Sequence, residues 1–132
     1  MSRDRFARVS LLLAALGLVG FGLPLLVRPS LLGIVGLEFA RPAAATEIRA
    51  FYGGLELGLA AFFIAASRRE DWVRPALAAQ VLAFGGIVLA RLIGIVVDGS
   101  AEPMILVFAA LEGAGAILGA VALRRLMHPG SR

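Results

Sequence analysis

The sequence predicts an all-α integral membrane protein, a four-helix bundle with both termini in the cytoplasm. The 132 residues are 60% hydrophobic and have a mean hydropathy of +0.91, whereas about half of a soluble domain is apolar. The apolar residues are gathered into four long blocks, each close to the ~20 residues that cross a ~30 Å hydrocarbon core as a helix. Arginines are concentrated in the connections on one side of the membrane, and this bias sets the orientation of the protein in the membrane.

The blocks cover about residues 9–27, 47–66, 75–97 and 103–123 of a single domain that takes in residues 1–132. Because lipid offers the backbone no hydrogen-bond partners, a helix is the expected form of each block. We therefore expect one multi-pass unit built almost wholly of membrane-spanning helices.

Threonine, proline and aspartate mark the ends of the predicted helices. Thr46 is expected to cap the second helix. Pro75 and Pro103 suit first-turn positions of the third and fourth helices, where a missing N–H costs nothing. Asp98 precedes a glycine that is expected to stop the third helix. Pro24 lies inside the first block and predicts a kink or an early end there.

Two further segments flank the first block, namely the connection that follows it and the arginines that precede it. The connection from Arg28 to Ala45 contains the apolar stretch Leu31–Leu37, which is too short to span and predicts an interfacial helical turn or a re-entrant plug. Arginines before the first block resemble the start of a signal peptide. The apolar stretch nevertheless continues through Leu26 without a small-x-small cleavage site, so a retained helix is expected.

The arginine distribution predicts the orientation. One side of the membrane would hold the N-terminus, the connection between the second and third helices, and the C-terminal tail. The arginines of that side are Arg3, Arg5, Arg8, Arg68, Arg69, Arg74, Arg124, Arg125 and Arg132. The loops of the other side hold only Arg28 and Arg41, together with Glu38 and Glu102. The positive-inside rule then predicts that both termini lie in the cytoplasm. The membrane is expected to be a bacterial inner membrane.

Charges inside the apolar blocks are the main functional signal. They are Arg49 and Glu56 in the second block, Arg91 in the third and Glu112 in the fourth. An unpaired charge at mid-membrane costs roughly 2.5–3.5 kcal/mol on insertion scales, so such groups are expected to pair and are functional by default. At 1.5 Å per residue, three of them fall in one layer roughly 10–14 Å below the outer surface.

Helical phase predicts which residues of this layer contact one another. Arg91 is expected between Glu56 and Glu112, because a guanidinium can bind two carboxylates at once. Tyr52 shares a face with Glu56 and is expected to hydrogen-bond a glutamate. Two carboxylates around one arginine leave a surplus negative charge, so one glutamate is expected to keep a proton at neutral pH.

A second pair, Arg49 with Asp98, is expected nearer the outer surface. Gln80 lies on the same face as Arg91 and is predicted to join helices by hydrogen bonds rather than to bind a ligand. Two small-xxx-small pairs predict close helix packing, either within the bundle or between subunits. These pairs are Gly54/Gly58 and Gly115/Gly119.

Several of these residues together resemble a known family. The resemblance rests on the run EIRAFYGGLELG from Glu47 to Gly58, on ARLIG with the later Asp98-Gly99, and on Glu112. The chain is similar from the first helix onward to a small bacterial membrane family known as domain of unknown function 4345. The resemblance implies a four-helix membrane fold and no assigned activity. The signature positions it implies are Glu47, Arg49, Tyr52, Gly53, Glu56, Arg91, Asp98 and Glu112.

The composition narrows the possible chemistry. The chain has no cysteine, which excludes disulfides and thiolate chemistry. The single histidine, His128, lies in the polar tail, so neither a metal site nor catalytic residues are predicted, and no cofactor is expected. The arginines lie at block ends as topology signals, which disfavours a nucleic-acid partner.

Three functions remain open at this point. The favoured one is a small binding or transport module for a lipophilic or amphipathic ligand, with the bilayer as its surroundings. The second is an accessory or scaffold subunit, a homo-oligomer or part of a membrane complex, whose charges fix helix register. The third, an intramembrane isomerase using paired carboxylates, is the least favoured because histidine, cysteine and metal ligands are missing from the blocks.

Overall fold

A computed structural model describes residues 2–127 of the chain, and His128 lies outside the described residues. Those residues are helical apart from short connections and contain no strand, which confirms the predicted all-α class. The elements in chain order are α1 (Arg3–Val27), a 3₁₀ helix (Pro29–Val35), α2 (Pro42–Ile48), a π-helical segment (Arg49–Leu55), α3 (Glu56–Ala66), α4 (Glu70–Asp98) and α5 (Pro103–Met127).

Four helical runs are long and apolar enough to cross a membrane. They are α1, α4, α5 and the continuous run Pro42–Ala66, in which α2, the π segment and α3 follow one another without a break. We call that run the second span. Each run contains one of the four predicted blocks, so the sequence located the helices correctly, and their length and hydropathy indicate a membrane protein.

Three of the four spans begin earlier than predicted, whereas α5 begins at Pro103 as expected. The Ser2 side chain caps α1, accepting a hydrogen bond from the Arg5 backbone N–H at 3.3 Å. The second span begins at Pro42, so Thr46 lies inside the helix and does not cap it. Proline is favoured at this first position because its φ angle already suits a helix. In the same way α4 begins at Glu70, which suits the positive end of the helix dipole, and Pro75 lies within the helix.

The residues around Pro24 also differ from expectation. α1 continues past Pro24 to Val27, and the Arg28 backbone N–H then donates to the Pro24 carbonyl at 2.7 Å. The connection that follows folds into the short helix Pro29–Val35, which ends at Gly36 with φ at +77°. That left-handed conformation is easy for glycine and strained for other residues. The predicted helical turn in this connection is therefore present.

Successive spans run in opposite directions. At one end of the pair formed by α1 and the second span, the Arg8 side chain donates to the Ser67 carbonyl at 2.7 Å. At the other end, Gly53 lies against Leu26 so closely that an added Cβ would be 2.9 Å from the leucine Cβ. α1 contacts the second span, α4 and α5, and α4 likewise contacts each of the other three spans.

The buried core occupies one half of the molecule. It gathers the beginning of α1, the end of α3, the beginning of α4 and the end of α5. Its members are Ala7, Leu11, Ala14, Ala15, Leu18, Ala60, Phe63, Ala66, Val73, Ala76, Leu77 and Ala122. Small alanines dominate this set and let the helices approach closely. The opposite half holds the intramembrane charges and is more loosely packed.

Candidate functional site

The π-helical segment Arg49–Leu55 directly precedes Glu56 in the second span. Hydrogen bonds from residue i to i+5 widen the helix, and such segments are rare and often lie at functional sites. A close contact with α1 fixes its position: a Cβ added at Gly22 would lie 3.1 Å from the Glu56 Cβ and 3.2 Å from the Tyr52 carbonyl oxygen. The predicted face of Arg49, Tyr52 and Glu56 assumed regular α-helical phase, which this segment does not keep.

Arg49 has a different partner from the one expected. Its Nε donates to the Leu26 carbonyl at 3.1 Å, and no ion pair joins it to Asp98, which lies exposed at the end of α4. Leu26 belongs to the last turn of α1, whose carbonyls lack helical partners and form the negative end of the helix dipole. The predicted pair of Arg49 with Asp98 is therefore wrong, because Arg49 caps the neighbouring helix instead.

Arg91 and Glu112 form the predicted ion pair between α4 and α5. Nε of Arg91 lies 2.8 Å from Oε2 of Glu112, and Nη2 lies 2.6 Å from Oε1. The two side chains are 22% and 19% exposed. The guanidinium also lies 5.5 Å from the ring centroid of Phe108. Two parallel hydrogen bonds satisfy both carboxylate oxygens, which is the strongest geometry available to this pair.

Glu56 does not join this pair. Its Oε2 atom is buried and has no hydrogen-bond partner among the described residues. Arg91 presents its Nε–Nη2 edge to Glu112 alone, and this single carboxylate already balances the arginine charge. Tyr52 makes no described hydrogen bond to a glutamate, and its ring instead meets Phe21 edge-on at 6.5 Å. The predictions that Arg91 also binds Glu56 and that Tyr52 hydrogen-bonds a glutamate are therefore wrong.

Glu56 lines a cavity of about 340 Å³ that is open on one side and has lining residues from all four spans. We refer to this space as the cavity. Glu112 also lines it, and Gln80 lies on its wall. Most of the other surface is apolar and includes three phenylalanine rings, Phe21, Phe84 and Phe108.

A second space of about 640 Å³ lies beside the cavity, where the second span separates from α4. We refer to it as the groove. Glu47 and Tyr52 line it on the second span, and Ile87 lines it on α4. Glu56, Leu18 and Ile87 line both the groove and the cavity. Glu56 therefore lies at the boundary between the two spaces.

Gln80 ties three helices together at the base of the cavity. The side chain is fully buried, and its Oε1 accepts a hydrogen bond from the Ser10 hydroxyl at 3.3 Å. Its Nε2 donates to the Gly115 carbonyl at 2.9 Å. These bonds join α1, α4 and α5, which confirms the prediction that Gln80 is a helix-joining residue. It also lines the cavity, so the two roles meet in one side chain.

The two glycine pairs lie in different surroundings. A Cβ added at Gly115 would lie 2.8 Å from Cδ1 of Phe84, and one at Gly119 would lie 3.1 Å from Cδ of Gln80. These two glycines therefore let α5 approach α4. A Cβ at Gly58 would meet no described atom within 4 Å, and at Gly54 the nearest atom is the Arg49 carbonyl oxygen at 3.7 Å. Whether this second pair contacts another subunit stays a prediction.

Sequence reasoning missed three contributors to the site, Gly22, Ser10 and Phe21, and named a fourth, Gly53, only as a signature position that the family resemblance implies. Gly22 and Gly53 permit the close contact of α1 with the π segment, and Ser10 completes the Gln80 hydrogen bonds. Phe21 meets Phe108 edge-on at 5.3 Å across the cavity. The signals for these residues were a hydroxyl inside the first block and a phenylalanine at similar depth in two blocks. Neither signal is specific without the pairing of helices.

The arrangement offers acceptor oxygens in an apolar, aromatic surrounding. Within residues 2–127, no group of three or more histidine, cysteine, aspartate or glutamate side chains is placed to hold a metal ion. The carboxyl group of Glu56, a residue that lines the cavity, can accept a hydrogen bond from a bound molecule. The phenylalanine rings can pack against its apolar part.

Comparison with known proteins identifies the family. The sequence model described as Domain of unknown function (DUF4345) matches residues 6–123, which is most of the chain. No curated protein and no solved structure matches the chain. The chain belongs to the DUF4345 family, as its resemblance implied.

Proposed function

We propose that this member of the DUF4345 family is a bilayer-embedded binding or transport module for a small lipophilic or amphipathic ligand. The ligand occupies the cavity. The protein is a four-helix bundle of the bacterial inner membrane, with both termini in the cytoplasm. The charged residues inside its spans, Glu56, Arg91 and Glu112, thereby lie in the half of the bundle nearer the outer surface.

One observation carries this proposal. Glu56 lines the cavity, and its buried Oε2 atom lacks a hydrogen-bond partner within the described part of the chain. An unsatisfied polar group in an apolar environment costs about 1–3 kcal/mol by protein mutational data. A purely structural carboxylate would be expected to have a partner, as Glu112 does. The missing donor is naturally supplied by a ligand.

The size and lining of the cavity support the same conclusion. A volume of about 340 Å³ lies at the lower end of the range of about 300–1,000 Å³ that is typical of small-molecule sites. Such sites combine a mostly apolar lining with a few polar groups that fix orientation. Here Glu56 is the polar group with a free oxygen, while Glu112 and Gln80 also line the cavity but are already hydrogen-bonded within the protein.

The test fills the cavity by mutation. Gly17 lines the cavity, and a Cβ added there would meet no described atom within 4 Å, so Gly17→Phe would place a ring in the space without a backbone clash. Gly20 lies one turn further along α1 and is also open, but it is not among the cavity residues, so Gly20→Phe is the matched control. Two probes of one shape are used, neutral 3-phenylpropanol and N,N-dimethyl-3-phenylpropylamine.

We expect at least one probe to raise the melting temperature of the wild-type protein in detergent, because ligand binding stabilises the folded state. Gly17→Phe should abolish this shift, and Gly20→Phe should keep it. If neither probe stabilises the wild type, or if Gly17→Phe responds as the wild type does, the cavity is not a ligand site.

A scaffold function is the second candidate, and specific contacts favour it. The bidentate Arg91–Glu112 pair and the Gln80 hydrogen bonds all fix α5 against α4. Polar groups of this kind can set helix register without any ligand. A scaffold would keep its fold and its partners after the cavity is filled, whereas a binding module would lose its ligand.

A further inference from the structure

We infer that the ligand is a lipophilic monocation with an N–H group, such as a protonated amine, which donates this hydrogen to Glu56 while its apolar part lies among the cavity phenylalanines. This inference rests on the proposed function and adds the chemical class of the ligand. Charge, hydrogen bonding and aromatic lining support it separately.

The charge count around the cavity is unequal. The charged or titratable side chains at this depth are two carboxyl groups, Glu56 and Glu112, and one guanidinium, Arg91. Glu112 and Arg91 satisfy each other through two hydrogen bonds. In its ionised form Glu56 has no balancing cation, and a ligand with one positive charge supplies one in a medium that penalises isolated charge.

The hydrogen-bonding pattern requires a donor. Oε2 of Glu56 makes no hydrogen bond to any described residue. Gln80 already donates through Nε2 to the Gly115 carbonyl, so it is committed elsewhere. An ammonium N–H provides both a donor and a positive charge, and charge-assisted hydrogen bonds are about twice as strong as neutral ones. A quaternary ammonium group provides only the charge.

The aromatic lining suits the same ligand. Phe21, Phe84 and Phe108 all line the cavity, and Phe21 and Phe108 meet edge to face at 5.3 Å. Ring faces attract cations, most strongly where water is excluded. Phe108 already has the Arg91 guanidinium 5.5 Å from its centroid, which shows that this ring accepts a cation nearby.

The groove gives such a ligand a path to Glu56. Leu18, Glu56 and Ile87 line both the groove and the cavity. Glu47 lies further along the groove, nearer the beginning of the second span. The groove therefore leads an amphipathic cation to Glu56 between apolar walls, and Glu47 lines the groove but not the cavity. Because both carboxylates line the groove, Glu47 also serves as a matched control.

The experiment measures binding by calorimetry for a matched set of probes on the full-length protein in detergent. The probes are protonated N,N-dimethyl-3-phenylpropylamine, its trimethylammonium homologue without an N–H, and neutral 3-phenylpropanol. The proteins are the wild type, Glu56→Gln and Glu47→Gln. Glutamine keeps the shape of glutamate and removes its charge.

The wild type should bind the protonated amine most tightly and the neutral alcohol most weakly. Glu56→Gln should weaken amine binding by about 10- to 100-fold, which corresponds to the loss of one charged hydrogen bond. The same variant should change alcohol binding by less than about threefold, because the neutral alcohol forms no ion pair with Glu56. Glu47→Gln should leave amine affinity close to the wild-type value.

The possible contrary results separate the two proposals. If the alcohol binds as tightly as the amine, and Glu56→Gln affects both alike, the cation inference is wrong while the binding module stands. If no probe binds the wild type, both proposals fail. If the trimethylammonium probe binds more tightly than the amine, the N–H donor is wrong and only the charge requirement survives. If Glu56→Gln misfolds, Glu56→Asp replaces it, and unchanged amine affinity in that variant would also overturn the assignment.

Discussion

At the scale of single residues, the Arg91–Glu112 pair and Glu56 show two ways of placing a carboxylate in an apolar environment. Glu112 has both oxygens bonded to one guanidinium. Glu56 has a buried oxygen without a donor in the described chain. Since a satisfied group stabilises the fold and an unsatisfied one costs free energy, the two carboxylates are expected to respond differently to substitution.

The paired residues give the first stability prediction. Arg91→Lys keeps the positive charge but removes the planar edge that forms two bonds, so the free energy of unfolding should fall by about 1 kcal/mol. Glu112→Gln should cost more, about 3 kcal/mol, because it leaves a guanidinium uncompensated at depth. Reversible unfolding in mixed detergent micelles measures both values.

The exposed Arg68 provides the control for these variants. Arg68→Lys should change the free energy of unfolding by less than about 0.5 kcal/mol, as is usual for a surface substitution. Equal stability of the wild type, Arg91→Lys and Glu112→Gln would show that the pair contributes nothing to the fold.

At the scale of elements, the close approach of α1 to the π segment positions the site. Gly53 faces the backbone of Leu26, and the Gly22 position faces Glu56. The second span is helical throughout, but the π segment changes the direction of its side chains. This change leaves Tyr52 in the groove and Glu56 at the boundary of the cavity.

A pair of glycine substitutions tests this packing. In Gly53→Ala the new Cβ would lie 2.9 Å from the Leu26 Cβ and 3.0 Å from its Cα, so backbone would have to move. We expect a loss of about 1–3 kcal/mol in the free energy of unfolding, typical of overpacking. Gly58→Ala meets open space and should gain about 0.5–1 kcal/mol, because alanine favours a helix over glycine.

Unfolding measurements on monomeric protein distinguish these two variants, and size-exclusion chromatography reports assembly. A destabilised Gly58→Ala that also loses a dimer would show that Gly58 packs against a second copy. Equal stability of Gly53→Ala and the wild type would contradict the close packing of α1 on the π segment.

At the scale of the whole molecule, the two halves differ in packing and in charge. The half with the buried core also carries most of the arginines, several of which are held in place. Arg8 donates to the Ser67 carbonyl at 2.7 Å, and Arg69 lies 4.5 Å from the Trp72 ring centroid. The other half contains the cavity, the groove and the intramembrane carboxylates. A cytoplasmic position of the arginine-rich half would leave the site nearer the outer surface.

Cysteine labelling tests this orientation, and the absence of native cysteine makes each introduced thiol unique. Ala101→Cys lies in the exposed connection between α4 and α5, and Asp71→Cys lies at the opposite end of α4. A membrane-impermeant maleimide applied to intact cells should label Ala101→Cys and leave Asp71→Cys unlabelled until the membrane is opened. The reverse pattern would invert the topology and place the site on the cytoplasmic side.

The sequence by itself determined the helical class, the position of each spanning run and the family. Long apolar blocks in a chain must become helices if lipid surrounds them, and this requirement depends only on local composition. The pair of Arg91 with Glu112 was also predictable, because opposite charges at equal depth in successive helices have few other partners. Gln80 was predictable for a similar reason, as a polar side chain in an apolar block.

Only the tertiary structure decided which charges meet. Arg49 bonds to the end of α1 instead of Asp98, because the close contact at Gly53 brings the Leu26 carbonyl within reach. Glu56 stays apart from Arg91, because the π segment breaks the regular phase from which their pairing was predicted. Side-chain spacing along a sequence fixes a face only while the helix is regular. The distance between helices depends on contacts that no single segment contains.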